Sequence, residues 1–245
     1  MMIEERPMRI QRYLARSGKG SRRACERYLE EGRIEVNGSV IVEPGSKVFP
    51  GDVVLLDGGN VVLNVFSYFI INKPKGFISV NLDQKGRKWV VDIIPGGRDK
   101  GLFPVGRLDL DTTGLMVLTN DGELGNRISH PRFGVMKEYR ALIKGIWTNT
   151  QLKDRMENGI VLENGDQVKD VIVHSAVYEE GGTIVVIRIH EGRKHIVRRL
   201  FLAIGTRVLE LERTRIGDLE LSGIPPGGYK KISREEVERV FKKEE

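Results

Sequence analysis

The chain has 245 residues, with 40 Lys and Arg against 34 Asp and Glu, a formal net charge of +6, and 40% hydrophobic and 30% charged content. That length buries one good core with room for a small second module, and the modest positive excess favours a polyanionic partner over an acidic small molecule. A single cysteine, Cys25, excludes an intramolecular disulfide framework and an all-cysteine metal cage; it reads as a small buried hydrophobe in a reducing compartment. The opening MMIEERPMRI carries acids and a proline where a signal peptide needs an unbroken apolar run. No apolar stretch approaches the ~20 residues of a membrane span, so a soluble, cytoplasmic chain with no membrane partner is expected.

Residues 8–31 predict two short helices. MRIQRYLARS stops at Gly18, and Ser21 caps RRACERYLEE, which ends at Gly32. From Arg9 to Arg27 fall seven cations, Arg9, Arg12, Arg16, Lys19, Arg22, Arg23 and Arg27, against one acid, Glu26. RIEVNGSVIVEP then shows apolar alternation around Asn37-Gly38, a dipeptide that suits a two-residue hairpin because both positions accept positive φ. KVFPGDVVLLDG adds a strand, the unit closes near Asp57, and GGN at 58–60 reads as a hinge.

From residue 62 to 245, SYFIINKP, KEYRALIKG, VIVHSAVY and TIVVIRIHEG predict strands, the last two joined by a hairpin at EEGG, residues 179–182. Helices are predicted at NTQLKDRMENG, ended by Gly159, at RKHIVRRLFLAIG, ended by Gly205, and at SREEVERVFKK, where Ser233 and Glu236 have capping-box spacing. No βα period repeats, so the expected class is α+β with a mixed, mainly antiparallel sheet.

Candidate chemistry concentrates in VGRLDLDTTGLMVLTNDG, residues 105–122. Asp109, Asp111, Thr113 and Gly114 imitate the start of a calcium loop, but the closing glutamate would fall on Asn120 and positions 115–118 are apolar. A D-x-D-x-T phosphotransferase loop needs an opening parallel strand and a downstream acidic pair, neither of which is evident. His190 and His195 are five apart, whereas a zinc-binding H-E-x-x-H needs four so that both rings share a helix face. PGGRDKG at 95–101 lacks the strand and helix of a phosphate cradle. No metal is expected.

Residues 8–57 resemble the alpha-L RNA-binding motif, in which two basic helices and a hairpin rest on structured RNA. The resemblance implies that Arg9, Arg12, Arg16, Lys19, Arg22, Arg23 and Arg27 contact RNA, neutralising phosphates without reading bases, with salt-dependent affinity. GRLDLDTTGLMVLTNDGEL resembles the signature loop of pseudouridine synthases, in the branch acting on small- and large-subunit ribosomal RNA. NKPKG at 72–76, HPRFGVMKEYRALIKG, EGRKHIVRRLF and LERTRIGDLELSGIPPGGYKKISREEV match that family's further motifs in order. Met116 stands where leucine is usual, and Arg140 follows the tyrosine where apolar residues are common.

The family resemblance implies a catalytic domain over 62–245 that isomerises uridine to its carbon-linked form in ribosomal RNA without cofactor, the alternative being a non-catalytic RNA-binding or ribosome-assembly protein with a synthase-like fold; a monomer is the default expectation. Asp109 matches the essential carboxylate, acting as nucleophile or as base. Arg198 matches the cation that pairs with it, the alternative being a phosphate contact. Tyr139 matches the tyrosine that stacks on the target base, and Leu200 an apolar residue of the uracil pocket, with ordinary core as its alternative. Arg107 and Thr113 are expected to shape the loop or hold phosphate, and Lys73 with Pro74 to buttress it. Asp111 is expected to be structural, and Gly114 to let the backbone turn into the following strand.

Overall fold

The computed structural model describes residues 6–80, 86–221 and 223–242, which fall into two compact units. One runs through Ser67 and includes Ile94–Phe103 and Thr119–Asp121; the other comprises Tyr68–Ile93, Pro104–Leu118 and the chain from Gly122 onward. The first five residues of the opening segment, and Lys243 at the end of the last expected helix, lie outside the described residues. Among the described residues no helix is long and apolar enough to cross a membrane.

The smaller unit contains β1 (Met8–Arg9), α1 (Ile10–Arg16), α2 (Arg22–Glu30), β2 (Ile34–Val36), β3 (Ser39–Val40), β4 (Lys47–Val48), β5 (Val54–Leu56) and β6 (Gly59–Asn60). Helix α1 starts at Ile10 because Met8 and Arg9 pair with Val48 and Lys47. The Ser21 hydroxyl accepts from the Ala24 N–H at 3.2 Å, the cap expected for α2. Ile10, Leu14, Cys25, Leu29, Ile34 and Val54 form the core, and burial pushes the Cys25 thiol up to about 11. Asn37 and Gly38 have φ of 52° and 80° and close the β2–β3 hairpin. The expected hinge at 58–60 is instead a second hairpin. Asp57 and Gly58 have φ of 52° and 75°, and Gly59 and Asn60 pair back onto Leu56 and Leu55. Val61 is buried in the same core and its carbonyl accepts from the Tyr13 hydroxyl at 3.0 Å, so this unit continues past Asp57.

In the larger unit follow β7 (Tyr68–Lys73), β8 (Phe103–Val105), β9 (Thr113–Thr119), α3 (Gly122–Ser129), β10 (Lys137–Ile143), α4 (Asn149–Met156), β11 (Ile160–Val161) and β12 (Gln167–Val168). The chain continues through β13 (Ile172–Glu179), β14 (Gly182–Ile189), α5 (Ile196–Ala203), β15 (Val208–Ile216), β16 (Leu219–Glu220), β17 (Tyr229–Ile232) and α6 (Arg234–Glu238). The main sheet runs β13-β14-β10-β15-β9-β7-β17, with β8 added on β9 and β16 on β15. Its β13–β14, β14–β10, β10–β15 and β7–β17 pairs are antiparallel, while β15 and β9 are parallel, the mixed α+β sheet expected. Glu179 faces Gly182 across the expected hairpin, and capping boxes close both Thr148–Gln151 and Ser233–Glu236.

The parallel β15–β9 pair matters for the site. It sets Arg213 beside Gly114, whose φ is 106° and where an added Cβ would lie 2.3 Å from the Arg213 carbonyl oxygen. Only glycine admits that approach, and it is what brings the aspartate loop between β8 and β9 against β15.

Candidate active site

Asp109 sits in the loop between β8 and β9, and the loop is held chiefly through its backbone. Lys73, fully buried at the end of β7, donates from Nζ to the carbonyls of Asp109 at 3.0 Å, Leu110 at 3.3 Å and Thr112 at 2.7 Å. Ser79 bonds Leu108 twice, donating to its carbonyl at 2.8 Å and accepting from its N–H at 3.1 Å. Gly76 N–H donates to Leu110 O at 3.0 Å. These contacts hold the loop's backbone without engaging the Asp109 carboxylate, which stays partly exposed. Burial pushes the Lys73 amine down to about 8, against the opposing pull of Asp109 and Asp111.

The carboxylate opens into a cavity of about 550 Å³, within the roughly 300–1,000 Å³ of small-molecule sites. Asp109 is the only acid among its described lining residues, against six cations: Arg87, Arg107, Lys137, Arg193, Lys194 and Arg213. One wall is the β10–β15 ladder, where Tyr139 and Arg213 are register partners. Lys137, two residues before Tyr139, donates to Val135 O at 3.0 Å and His190 O at 3.2 Å; burial, then the nearby Arg213 charge, lowers its amine to about 8. The opposite side comes from the turn into α5, where Ile196 and Val197 supply apolar surface. Among the described residues no three His, Cys, Asp or Glu side chains converge as a metal site requires.

The side chain that meets Asp109 is His195, with Nε2 3.3 Å from Oδ1. His195 has φ 55° and ψ 23°, a left-handed conformation at the start of α5, and that turn carries the imidazole to the loop. The Asp109–Arg198 pair expected from the resemblance does not form. Arg198 lies further along α5, and its Nη1 donates to Val208 O at 3.3 Å at the start of β15. The half-buried guanidinium thus has an acceptor on its own side of the helix.

Of the other expected site residues, Tyr139 and Arg107 line the cavity with Asp109, and Lys73 supports the loop from beneath. Leu200 is fully buried and belongs to the core under α5, not to the cavity lining. Thr113 faces away from the cavity, into a small recess with Lys75 and Arg140, and its hydroxyl donates to Leu211 O at 3.4 Å. Asp111 is exposed. In the smaller unit Arg9, Arg12, Lys19, Arg22, Arg23 and Arg27 are exposed, while Arg16 is half-buried, its guanidinium 3.8 Å from the centre of the Phe66 ring.

His195, Arg213 and Lys137 were not among the residues expected at the site. Lys137 and Arg213 did leave a signal: each occupies an inward position of its strand, in phase with Tyr139 and Ala141 on β10 or with Leu211 on β15, where alternation calls for an apolar side chain.

A basic helix pair in one unit and, in the other, one recessed carboxylate in a cationic cavity suit the handling of a polyanion. Residues 8–54 match the S4 domain, and residues 67–203 match the RNA pseudouridylate synthase family. The chain belongs to the RNA pseudouridine synthases and carries an N-terminal S4 RNA-binding domain. It is 41% identical over 237 residues to an RNA pseudouridine synthase of Aquifex aeolicus, covering 96% of this chain and 94% of that one. With the ribosomal large subunit pseudouridine synthase B of Bacillus subtilis it shares 39% identity over 233 residues, 95% of each chain. A crystal structure of a pseudouridylate synthase has the same fold, with a TM-score of 0.65, 24% identity, and 95% of this chain and 99% of that one covered.

Proposed function

We propose that this synthase isomerises uridine in ribosomal RNA and that Asp109 is the carboxylate that starts the reaction. One observation carries the reading: Asp109 is the only acid on the described wall of a cationic cavity, and its loop is fixed by Lys73 through carbonyls, which leaves Oδ2 for the substrate beside the His195 contact to Oδ1. Acting as nucleophile or as base, it leads to cleavage of the bond between C1′ and N1, after which uracil turns in place and bonds through C5. Holding both fragments in one cavity gives their recombination a large proximity advantage.

Tyr139 offers a flat ring on the cavity wall for the everted base, and Arg107 a cation at its edge. Thr113 and Leu200 act through the packing of β9 and α5, and Arg198 by tethering α5 to β15. Eversion costs a few kcal/mol of lost stacking. Phosphate contacts by the exposed cations of α1 and α2 supply binding energy against it. Ribosomal RNA as substrate rests on the name of the Bacillus subtilis relative, which makes large-subunit RNA the first to test.

The test is incubation with unmodified large- and small-subunit ribosomal transcripts and their assembly intermediates, followed by chemical mapping of pseudouridine. A new modification at a defined position, absent with Asp109→Asn, is expected. No modification in any of these RNAs would overturn the assignment.

A further inference from the structure

Arg213 is 3% exposed and lines the cavity. Its Nε donates to Leu115 O at 2.8 Å, which fixes the plane of the guanidinium. Its Nη2 is buried with no hydrogen-bond partner, and among the described residues no carboxylate pairs with this arginine. A desolvated cation with an open donor carries a penalty that folding alone does not recover, and a ligand bringing an acceptor removes it. Tyr139 is its register partner across the β10–β15 ladder, so the open donor and the proposed stacking ring share one wall.

We propose that Arg213 is a further catalytic residue, donating to a carbonyl oxygen, O2 or O4, of the everted uracil. The inference rests on the reading that uridine enters this cavity beside Asp109. When the bond between C1′ and N1 breaks with the ring intact, its electron pair goes to N1 and is shared by conjugation with O2 and O4, whether Asp109 attacks C1′ or removes a ribose proton. A fixed cationic donor at one of those oxygens favours that anion over the neutral base, so it stabilises the transition state more than the bound substrate. The ring then uses that electron pair to bond C5 to C1′. The C5 proton leaves and N1 takes one up, so product and substrate have the same composition and no oxidant or cofactor enters.

The test crosses a protein change with a substrate change. Target RNAs carrying 2-thiouridine or 4-thiouridine at the modified position replace one carbonyl at a time with a weaker acceptor, and each is assayed with the wild-type chain, Arg213→Lys and Arg213→Gln. Arg213→Gln is expected to lower kcat about a hundredfold with KM little changed. At the contacted oxygen, thio substitution slows the wild type by about tenfold, whereas Arg213→Gln shows almost no further loss, because one contact is lost only once. Thio penalties that are equal in wild type and both variants at both positions would overturn the proposal. So would a wild type indifferent to both thio substitutions, a result that decides the matter even if the variants fail to fold. Wild-type turnover of unmodified RNA, run alongside, separates failure of this contact from failure of the underlying reaction.

Discussion

On and beside the helix pair of the S4 domain, Arg9, Arg12, Lys19, Arg22, Arg23 and Arg27 stand exposed without an ion pair among the described residues, whereas Lys73, Lys137 and Arg213 around the cavity are buried. The exposed set keeps its rotamer freedom and its counterions, so it can settle on phosphates of varied geometry and release salt as it does so. The buried set bonds only backbone carbonyls, Lys73 to the aspartate loop, Lys137 to Val135 and His190, and Arg213 to Leu115. Those cations have already lost their water, so they act in fixed directions and at low dielectric. On the proposed function, equal charge does different work by depth: the surface set contributes RNA affinity, and the buried set fixes where Asp109 stands and what field it works in.

Among the cations, the largest expected effect comes from removing a buried one while keeping its volume. Lys73→Met strands the carbonyls of Asp109, Leu110 and Thr112, and displacement of the loop lowers single-turnover rate by about a hundredfold, with RNA affinity unchanged. A rate within twofold of wild type would break the distinction. His195→Asn, which tolerates the left-handed backbone but does not reach Oδ1, is expected to cost about tenfold in kcat with KM unaltered. A matching rise in KM would mean that His195 binds RNA instead of placing the carboxylate.

Arg22→Ala and Arg23→Ala probe the exposed set. Each should weaken RNA binding several-fold and reduce the slope of log affinity against log salt by about 0.7–0.9, leaving kcat at saturation alone. Arg16→Ala sharpens the comparison, since its guanidinium packs on Phe66 and donates to Asn64 O at 3.3 Å. It should lower the melting temperature more than Arg22→Ala does.

The smallest effect is a pH dependence. Burial lowers the Lys73 and Lys137 amines from 10.5 to about 8. Between pH 8 and pH 10.5 the unfolded chain therefore binds more protons than the folded one, so these two groups make stability rise with pH across that window and contribute no slope below it. Urea titrations of wild type against the Lys73→Met, Lys137→Met double variant isolate the contribution. A wild type that loses stability relative to the variant over that window would reverse the sign and exclude burial as the cause.

Local chemistry was legible wherever a few neighbouring residues decide the outcome. Asn37-Gly38, Ser21 before α2, the Ser233–Glu236 box and the EEGG hairpin all form as their residues dictate. Asp57-Gly58 carries the same turn signal as Asn37-Gly38, yet reads as a hinge because strand β6 beyond it is only two residues long and contains a glycine. Helix α3 gives a weak signal, since Gly122 and Gly125 lower its propensity and packing of Leu124 and Ile128 supplies what propensity lacks.

The aspartate loop and Tyr139 were legible as motifs, and Lys73 as their support. The partner of Asp109 was not. Spacing along EGRKHIVRRLF treats residues 193–205 as one helix, whereas the left-handed turn at His195 delays α5 until Ile196 and redirects the imidazole. Arg213 and Lys137 become site residues only through strand pairing: β10 and β15 are brought together by long-range register that no local window contains.

Tritium release from ribosomal RNA labelled at uracil C5, comparing the wild-type chain with Asp109→Asn, tests most directly whether this cavity performs the isomerisation. Wild type should release label in step with modification, and Asp109→Asn, folded and binding RNA with unchanged affinity, should release it at least about 10⁴-fold more slowly. Release by Asp109→Asn at the wild-type rate would put the chemistry somewhere other than this carboxylate.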